Sequence, residues 1–277
     1  MSIGAYLHHL NLTSPDPVRM GAYYQRTHGL VPVPHGEAVI GATPGRLLMW
    51  TPGQSGQLGY AMFAFHDEAD WRRFKARELG AAKRPLPTLA VSVQDAVAIE
   101  DPDGNCTVFA WQPGFPAEQD EALDLPEAHM QHFAMRTQDP DRMRAFYHEV
   151  LGFGVSDRVE DPSGTLRACF LRTDSLHHSL ALFGAPTAGF DHFSFETTGW
   201  DAMKHWGDHM ARVKETIVWG IGRHGPGDDV FFMVRDPDGN LAEVSAEIEV
   251  CAADRPTGLW PHEERTLNQW GKAIMRD

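Results

Sequence analysis

The feature that most constrains this chain is that it repeats itself. Residues 8–30, HHLNLTSPDPVRMGAYYQRTHGL, align with residues 131–153, QHFAMRTQDPDRMRAFYHEVLGF, so that His9 meets His132, Met20 meets Met143 and Gly29 meets Gly152. Self-similarity on this scale means that one supersecondary unit has been used twice. Each copy reads as an alternating strand, a loop containing Asp-Pro, and an amphipathic helix that ends near glycine. The pentapeptide DPDGN recurs in the same way, at 101–105 before CTVFAW and at 236–240 before LAEVSA. Pro-Asp and Asp-Gly favour tight turns, so each copy predicts a hairpin entering a final strand. The offset between copies grows from 132 − 9 = 123 residues to 236 − 101 = 135, which puts the extra material in the middle of the second copy.

Each half contains a second start. YAMFAF at 60–65 leads into a helix over about 69–78, and HFSFET at 192–197 leads into one over about 200–213. Short apolar runs complete the pattern: RLLMW (46–50), AVSV (90–93), RACFLR (167–172), HSLALF (178–183) and VFFMV (230–234). The expected fold class is therefore α+β, four βαβββ modules paired into two similar domains with curved, barrel-like mixed sheets. The expected limits are 1–120 for an N-terminal domain, 121–250 for a C-terminal domain and 251–277 for an extension. A chain of 277 residues with 42% apolar content can bury two such cores without disulfides. Its charge of 24 − 38 = −14 lacks the basic block that phosphate-backbone binding needs. Cys106, Cys169 and Cys251 are too scattered for a zinc knuckle or a disulfide framework. No run reaches the ~18 apolar residues of a membrane span, and MSIGAYLHHL does not read as a signal peptide. Neither nucleic acid nor a membrane is an expected partner, and the cytoplasm is the expected compartment.

Aligning the halves exposes a chemical difference. The strand after the second DPDGN turn carries Glu243 where the first carries Val108, and the fourth unit starts on His192 where the second unit is read as offering Met62. One half could thus hold a metal with two histidines and a carboxylate, a set that leaves open positions on one side of an iron(II) ion. His132, His192 and Glu243 lie on strands of separate units, which hold ligands more firmly than loops do. The residue pattern alone leaves two readings open: a metal site, or histidines that merely satisfy a core. The same holds for His177 and His178, which either flank a cavity or belong to a surface loop beside Asp174.

The order MQHFAMRTQDPDRMRAFYHEVLGF, FLRTDSLHHSLALF, FDHFSFET, WGIGRHGPGDDVFFMVRDPDGNLAEVSAE resembles the two-domain type I extradiol ring-cleaving dioxygenases of the vicinal oxygen chelate superfamily, over residues 5 to 250. The resemblance implies iron(II), rarely manganese(II), held by His132, His192 and Glu243 in the C-terminal domain, and an N-terminal domain of the same fold without metal. It implies dioxygen as co-substrate and a small aromatic diol as substrate, opened beside its hydroxyls to a 2-hydroxymuconate-type product. His178 then matches the family's acid-base histidine and His224 a pocket histidine near a ring hydroxyl. His177, Phe170, Trp219 and Phe232 are candidate substrate contacts, and glycines 220, 222, 225 and 227 are read as a close-fitting rim. The chain departs from the family at Met233, where a tyrosine usually bonds the substrate; methionine has no such donor. Family members usually form homo-oligomers, and the same is expected here. Two other readings fit the triad: another metal-dependent enzyme of the superfamily (isomerase, lyase or 2-oxoacid-dependent dioxygenase), and a non-catalytic protein that binds an aromatic ligand. His178 and His224 favour ring cleavage over the first, and the intact His132, His192 and Glu243 weigh against the second.

Overall fold

The structure is a computed structural model and describes residues 2–114 and 125–276. The inferred domain boundary near residue 120 lies outside the described residues. The chain is α+β, and its elements follow the unit pattern four times. The first unit is β1 (Ala5–Ser14), α1 (Pro17–His28), β2 (Val31–His35), β3 (Ala38–Thr43) and β4 (Arg46–Pro52), and the second is β5 (Gln57–Phe65), α2 (Glu68–Lys75), β6 (Lys83–Arg84), β7 (Asp95–Glu100) and β8 (Cys106–Trp111). The third is β9 (Ala128–Thr137), α3 (Pro140–Ala145), β10 (Gly154–Glu160), β11 (Leu166–Arg172) and β12 (Leu180–Gly184). The fourth is β13 (Gly189–Thr197), α4 (Trp200–Arg212), β14 (Ile217–Arg223), β15 (Val230–Arg235) and β16 (Leu241–Ala246), after which come β17 (Gly258–Pro261) and α5 (Glu264–Leu267).

The repeated Asp-Pro pair explains how the matching helices start. Asp16 Oδ1 accepts from Arg19 N at 3.0 Å and Asp139 Oδ1 from Arg142 N at 2.9 Å, with proline at the first helical position in both. Helix α1 stops at Gly29, whose φ of 68° suits glycine in a left-handed cap. In each unit the first strand pairs in parallel with the last, while β1 with β5 and β9 with β13 join the units antiparallel. Two mixed sheets result, ordered β2-β3-β4-β1-β5-β8-β7-β6 and β14-β15-β16-β13-β9-β12-β11-β10-β17. Among the described residues no helix is long and apolar enough to cross a membrane.

One face of each sheet contributes to a single core shared by the halves, with Trp50, Phe63 and Phe109 from the first and Phe133, Phe193, Phe232 and Trp206 from the second. The other faces are separate. In the first half that face is filled: Ala90 and Val91 pack against Ile40, Leu47 and Met49, and Leu89 and Val93 against Tyr60, Met62 and Val108. AVSV is therefore not the strand expected from its composition; the ladder strand is β7, and AVSV plugs the sheet it was expected to extend.

Both DPDGN turns are organised by their first aspartate. Asp101 Oδ1 accepts from Asp103 N and Asn105 N, and Asp236 Oδ1 from Asp238 N and Asn240 N, leaving Oδ2 to reach elsewhere. In each case a helix of the other half supplies a buried tyrosine: Tyr24 Oη donates to Asp236 Oδ2 and Tyr147 Oη to Asp101 Oδ2, both at 3.0 Å. Burial pushes the carboxyl of Asp236 up to about 6, so this donor compensates a costly site. Tyr24→Phe and Tyr147→Phe should each lower the stability of the protein by about 1–2 kcal/mol. The two losses should add, since the pairs share no partner. Urea unfolding of the two single variants and the double variant measures this, and unchanged midpoints would remove the pairs as a clasp between the halves.

Candidate metal centre

The other face of the second sheet gathers His132, His192 and Glu243. On the adjacent strands β9, β13 and β16, Ser194 lies opposite both His132 and Glu243. His192 sits two residues from Ser194 and so shares its face. His132 Nε2 lies 3.3 Å from His192 Nε2 and 3.8 Å from Glu243 Oε1, and the three donor atoms all fall within 4.8 Å of one another. All three side chains are buried, and neither oxygen of Glu243 has a hydrogen-bond partner. A fully buried carboxylate without donors is costly unless a cation compensates it, so the residues present fit a divalent ion.

The other ring nitrogen of each histidine is tied down by the residue before it. His132 Nδ1 donates to Gln131 Oε1, and His192 Nδ1 to Asp191 Oδ1 at 2.6 Å. Neighbours along a strand normally point to opposite faces. Here the ladder skips Gln131 and Asp191, so each sits on a β-bulge that brings it beside its histidine. Both Nε2 lone pairs are thereby turned toward Glu243, the arrangement expected of imidazole ligands. Burial pushes His132 down to about 3, keeping it a neutral donor. Burial would raise Glu243, but the imidazoles of His224, His132 and His192 outweigh it and hold the carboxyl below its usual range.

The first half carries the same two bulges, at His8 and Gly59. Their register corrects one sequence alignment: Met62 pairs with His9 and Val108 as Ser194 pairs with His132 and Glu243, so the counterpart of His192 is Tyr60. Tyr60 Oη lies 3.0 Å from His9 Nε2 and accepts from Ala90 N at 2.9 Å. A phenol and a backbone amide occupy the place where the second half brings His132, His192 and Glu243 together.

Beside His132 and His192 lies a cavity of about 20 Å³, walled by Phe170, Phe183, Trp219, Leu267 and Arg276, with His178 and His224 also in its lining. That is room for about one water, so an aromatic ring can enter only if a wall moves. A larger cleft of about 410 Å³, lined by Tyr6, His66, His129 and Asp174, contains none of the three triad residues. His178 is buried with its ring 4.4 Å from that of His132. Its Nδ1 lies 3.0 Å from His177 Nδ1, and His177 Nε2 lies 3.1 Å from Asp157 Oδ2. Because β12 starts only at Leu180, strand alternation does not apply to this pair: both histidines are buried, with His178 in the cavity wall and His177 behind it. His224 Nδ1 donates to Leu267 O at 2.5 Å, its Nε2 lies 3.9 Å from Glu243 Oε2, and its ring stacks on Phe231 at 3.8 Å. A second carboxylate, Asp229, is buried beside it; burial pushes this carboxyl up to about 7.

Of the expected aromatic contacts, Phe170 and Trp219 line the cavity. Phe232 does not: it belongs to the core shared by the halves, and alternation puts Phe231 on the site face. Met233 is buried on the site face, opposite Glu243 and Trp219, but outside the cavity wall. Two glycines of the 220–227 segment, Gly222 and Gly225, make room for the extension. A Cβ on Gly222 would meet Asn268, and one on Gly225 would meet Trp260 and Thr266. Sequence reasoning missed Gln131, Asp191, Asp157 and Arg276. Gln131 and Asp191 were at least marked by adjacency to the histidines, whereas nothing in the local pattern marked Asp157 or Arg276.

The Glyoxalase/Bleomycin resistance protein/Dioxygenase superfamily profile matches residues 129–244. Biphenyl-2,3-diol 1,2-dioxygenase 3 of Rhodococcus globerulus is 31% identical over 155 residues, covering 52% of this chain and 75% of that protein. Metapyrocatechase 2 of Cupriavidus necator is 33% identical over 147 residues, covering 52% of this chain and 45% of that protein. With shares of 45%, 55% and 54%, the chain spans about half the length of the first curated relatives it matches. Among solved structures, homoprotocatechuate 2,3-dioxygenase from Brevibacterium fuscum, in complex with 3,4-dihydroxyphenylacetate, superposes with a TM-score of 0.82 at 22% identity, over 98% of this chain and 89% of that one. The Mn(II)-bound glyoxalase from Novosphingobium aromaticivorans gives 0.81 at 22% identity, over 100% and 93%. Repeated units, sheet order and shared sequence agree: the chain belongs to the glyoxalase/bleomycin resistance protein/dioxygenase superfamily.

Proposed function

We propose that this protein is a non-haem iron(II) extradiol dioxygenase that opens a small catechol-type diol with dioxygen. The observation that carries the reading is the convergence of His132, His192 and an unpartnered, buried Glu243 beside a cavity flanked by two further histidines. His132, His192 and Glu243 would hold the ion, manganese(II) being the other metal this donor set suits. Bound there, iron(II) supplies open positions for the diol and dioxygen and a path for electrons between them.

The chain's own residues handle position and protons. His177 Nδ1 and His178 Nδ1 lie 3.0 Å apart, and with His177 accepting from His178 the lone pair of His178 is left on Nε2. His178 Nε2 is thus set to take a proton from a diol hydroxyl. Burial opposes charge on His224, but Asp229, Glu243 and the Leu267 carbonyl overcome this and raise its proton affinity, so it can face an oxyanion as a donor. Phe170 and Trp219 offer apolar walls to the ring, and Met233 supplies no hydroxyl. On the same reading, residues 1–120 form a metal-free domain whose barrel-like sheet is plugged by AVSV, 121–250 carry the chemistry, and 251–277 close over it.

Reconstitution with iron(II) without air, followed by an oxygen electrode and absorbance after adding catechol and then 2,3-dihydroxybiphenyl, tests this. Stoichiometric oxygen uptake with a yellow ring-opened product is expected. One tightly bound metal per chain with no uptake from either diol would overturn it.

A further inference from the structure

A charged side chain from the far end of the described chain is buried in the wall of the cavity. Arg276 is only 7% exposed on its side chain, and its guanidinium lies over the rings of Phe183 at 4.4 Å and Trp219 at 5.4 Å. Burying a guanidinium is unfavourable unless its donors are met. Here Nη2 donates to Asp191 Oδ1 at 2.7 Å, Nε to Asp191 Oδ2 at 3.2 Å and Nη1 to Ile274 O at 2.7 Å. This two-pronged geometry is the one for which arginine is suited and lysine is not.

What Arg276 holds matters more than how it is held. Asp191 Oδ1, which accepts from Arg276, is the same atom that accepts from His192 Nδ1 at 2.6 Å. Asp191 sits on a bulge, without a ladder partner to fix it, and Arg136 Nε approaches its carboxylate only to 3.8 Å, from a side chain 39% exposed. The fork from Arg276 is therefore its principal restraint. A continuous line of contacts runs from guanidinium to carboxylate to imidazole and ends at His192 Nε2, 3.3 Å from His132 Nε2. The geometry points to Arg276 as a positioning residue of the metal centre, which fixes the orientation of His192 through Asp191.

The segment that carries it is independently docked. Trp219 Nε1 and Asn268 Nδ2 both donate to Lys272 O, at 3.0 and 2.9 Å, and Gln269 N donates to Arg223 O at 2.8 Å. Loss of Arg276 therefore need not release the tail. The inference rests on His192 being a ligand, so its test must separate the two.

Cobalt(II) serves as the probe, with affinity measured by chelator competition and geometry by the visible ligand-field spectrum of the cobalt protein. Arg276→Met keeps the apolar stem over Phe183 and Trp219 but removes the fork. It should weaken cobalt binding about tenfold, within the 10–100-fold range for partners of metal ligands, and shift the visible band. Arg276→Lys should restore part of that affinity with a spectrum nearer the parent's. An affinity and spectrum unchanged in Arg276→Met, even with the tail cut more readily by protease, would overturn the inference and leave Arg276 as a fastener only. Failure of the parent protein to bind cobalt would remove the metal reading and this inference with it. A parent that binds cobalt normally, yet whose iron form consumes no oxygen, would sink ring cleavage while the comparison of affinities still decides the role of Arg276.

Discussion

Glu243→Gln should abolish metal uptake and with it the stabilisation that metal brings. Both effects follow from one fact: the carboxylate is fully buried and neither of its oxygens accepts a hydrogen bond. In the apo state its charge is met only by imidazoles at 3.8 Å and 3.9 Å, contacts too long to replace hydration. An amide at this position offers a divalent ion no charge, so the variant loses the anionic member of the donor set. In the parent a bound divalent ion would supply the missing compensation. At a thousandfold excess of free metal over Kd, binding to the native state alone adds about 4 kcal/mol. The parent should therefore rise steeply in unfolding temperature on adding iron(II) without air, and the variant should not respond. Scanning calorimetry with chelator and with metal, alongside the metal content after gel filtration, gives both numbers. A variant whose unfolding temperature rose with metal as much as the parent's would mean that Glu243 is not needed to hold the ion.

How much of this was legible beforehand depended on periodicity. The duplicated strand-loop-helix and the DPDGN hairpins carry their own turn and cap residues, so the order of units and the equivalence of the Glu243 and Val108 positions could be read directly. Phase could not be read where strands are buried on both faces. VFFMV is apolar at every position, and nothing in the run says whether Phe231 or Phe232 meets the site. AVSV has the composition of a strand because it packs like one, side chains down, although it pairs with no ladder. Bulges are invisible to a period-two pattern, and they did most to mislead. They place Gln131 and Asp191 beside His132 and His192, and they set Tyr60, not Met62, opposite the role of His192. Asp157 and Arg276 reach the site only through tertiary folding, from 21 residues before His178 and 84 residues after His192, as their numbers give by subtraction.

His178→Ala should separate chemistry from metal binding: oxygen-dependent turnover should fall by about 10²–10⁴-fold, the range for losing a positioned acid-base group. Metal affinity should stay within a few-fold of the parent, because the ring of His178 lies 4.4 Å from that of His132 without a hydrogen bond to any triad residue. The loss should fall mainly on kcat, since removing a group that acts in proton transfer costs transition-state stabilisation more than ground-state binding. His177→Ala makes the sharper comparison. It leaves His178 in the wall but removes the acceptor for its Nδ1 proton, so the tautomer with the lone pair on Nε2 is no longer enforced. Its loss should be smaller than that of His178→Ala and should again leave the metal in place. Steady-state oxygen uptake for both variants, with metal content measured on the same samples, checks the order. If His177→Ala proved the more damaging of the two at full metal occupancy, the proton-handling role would pass from His178 to the residue behind it.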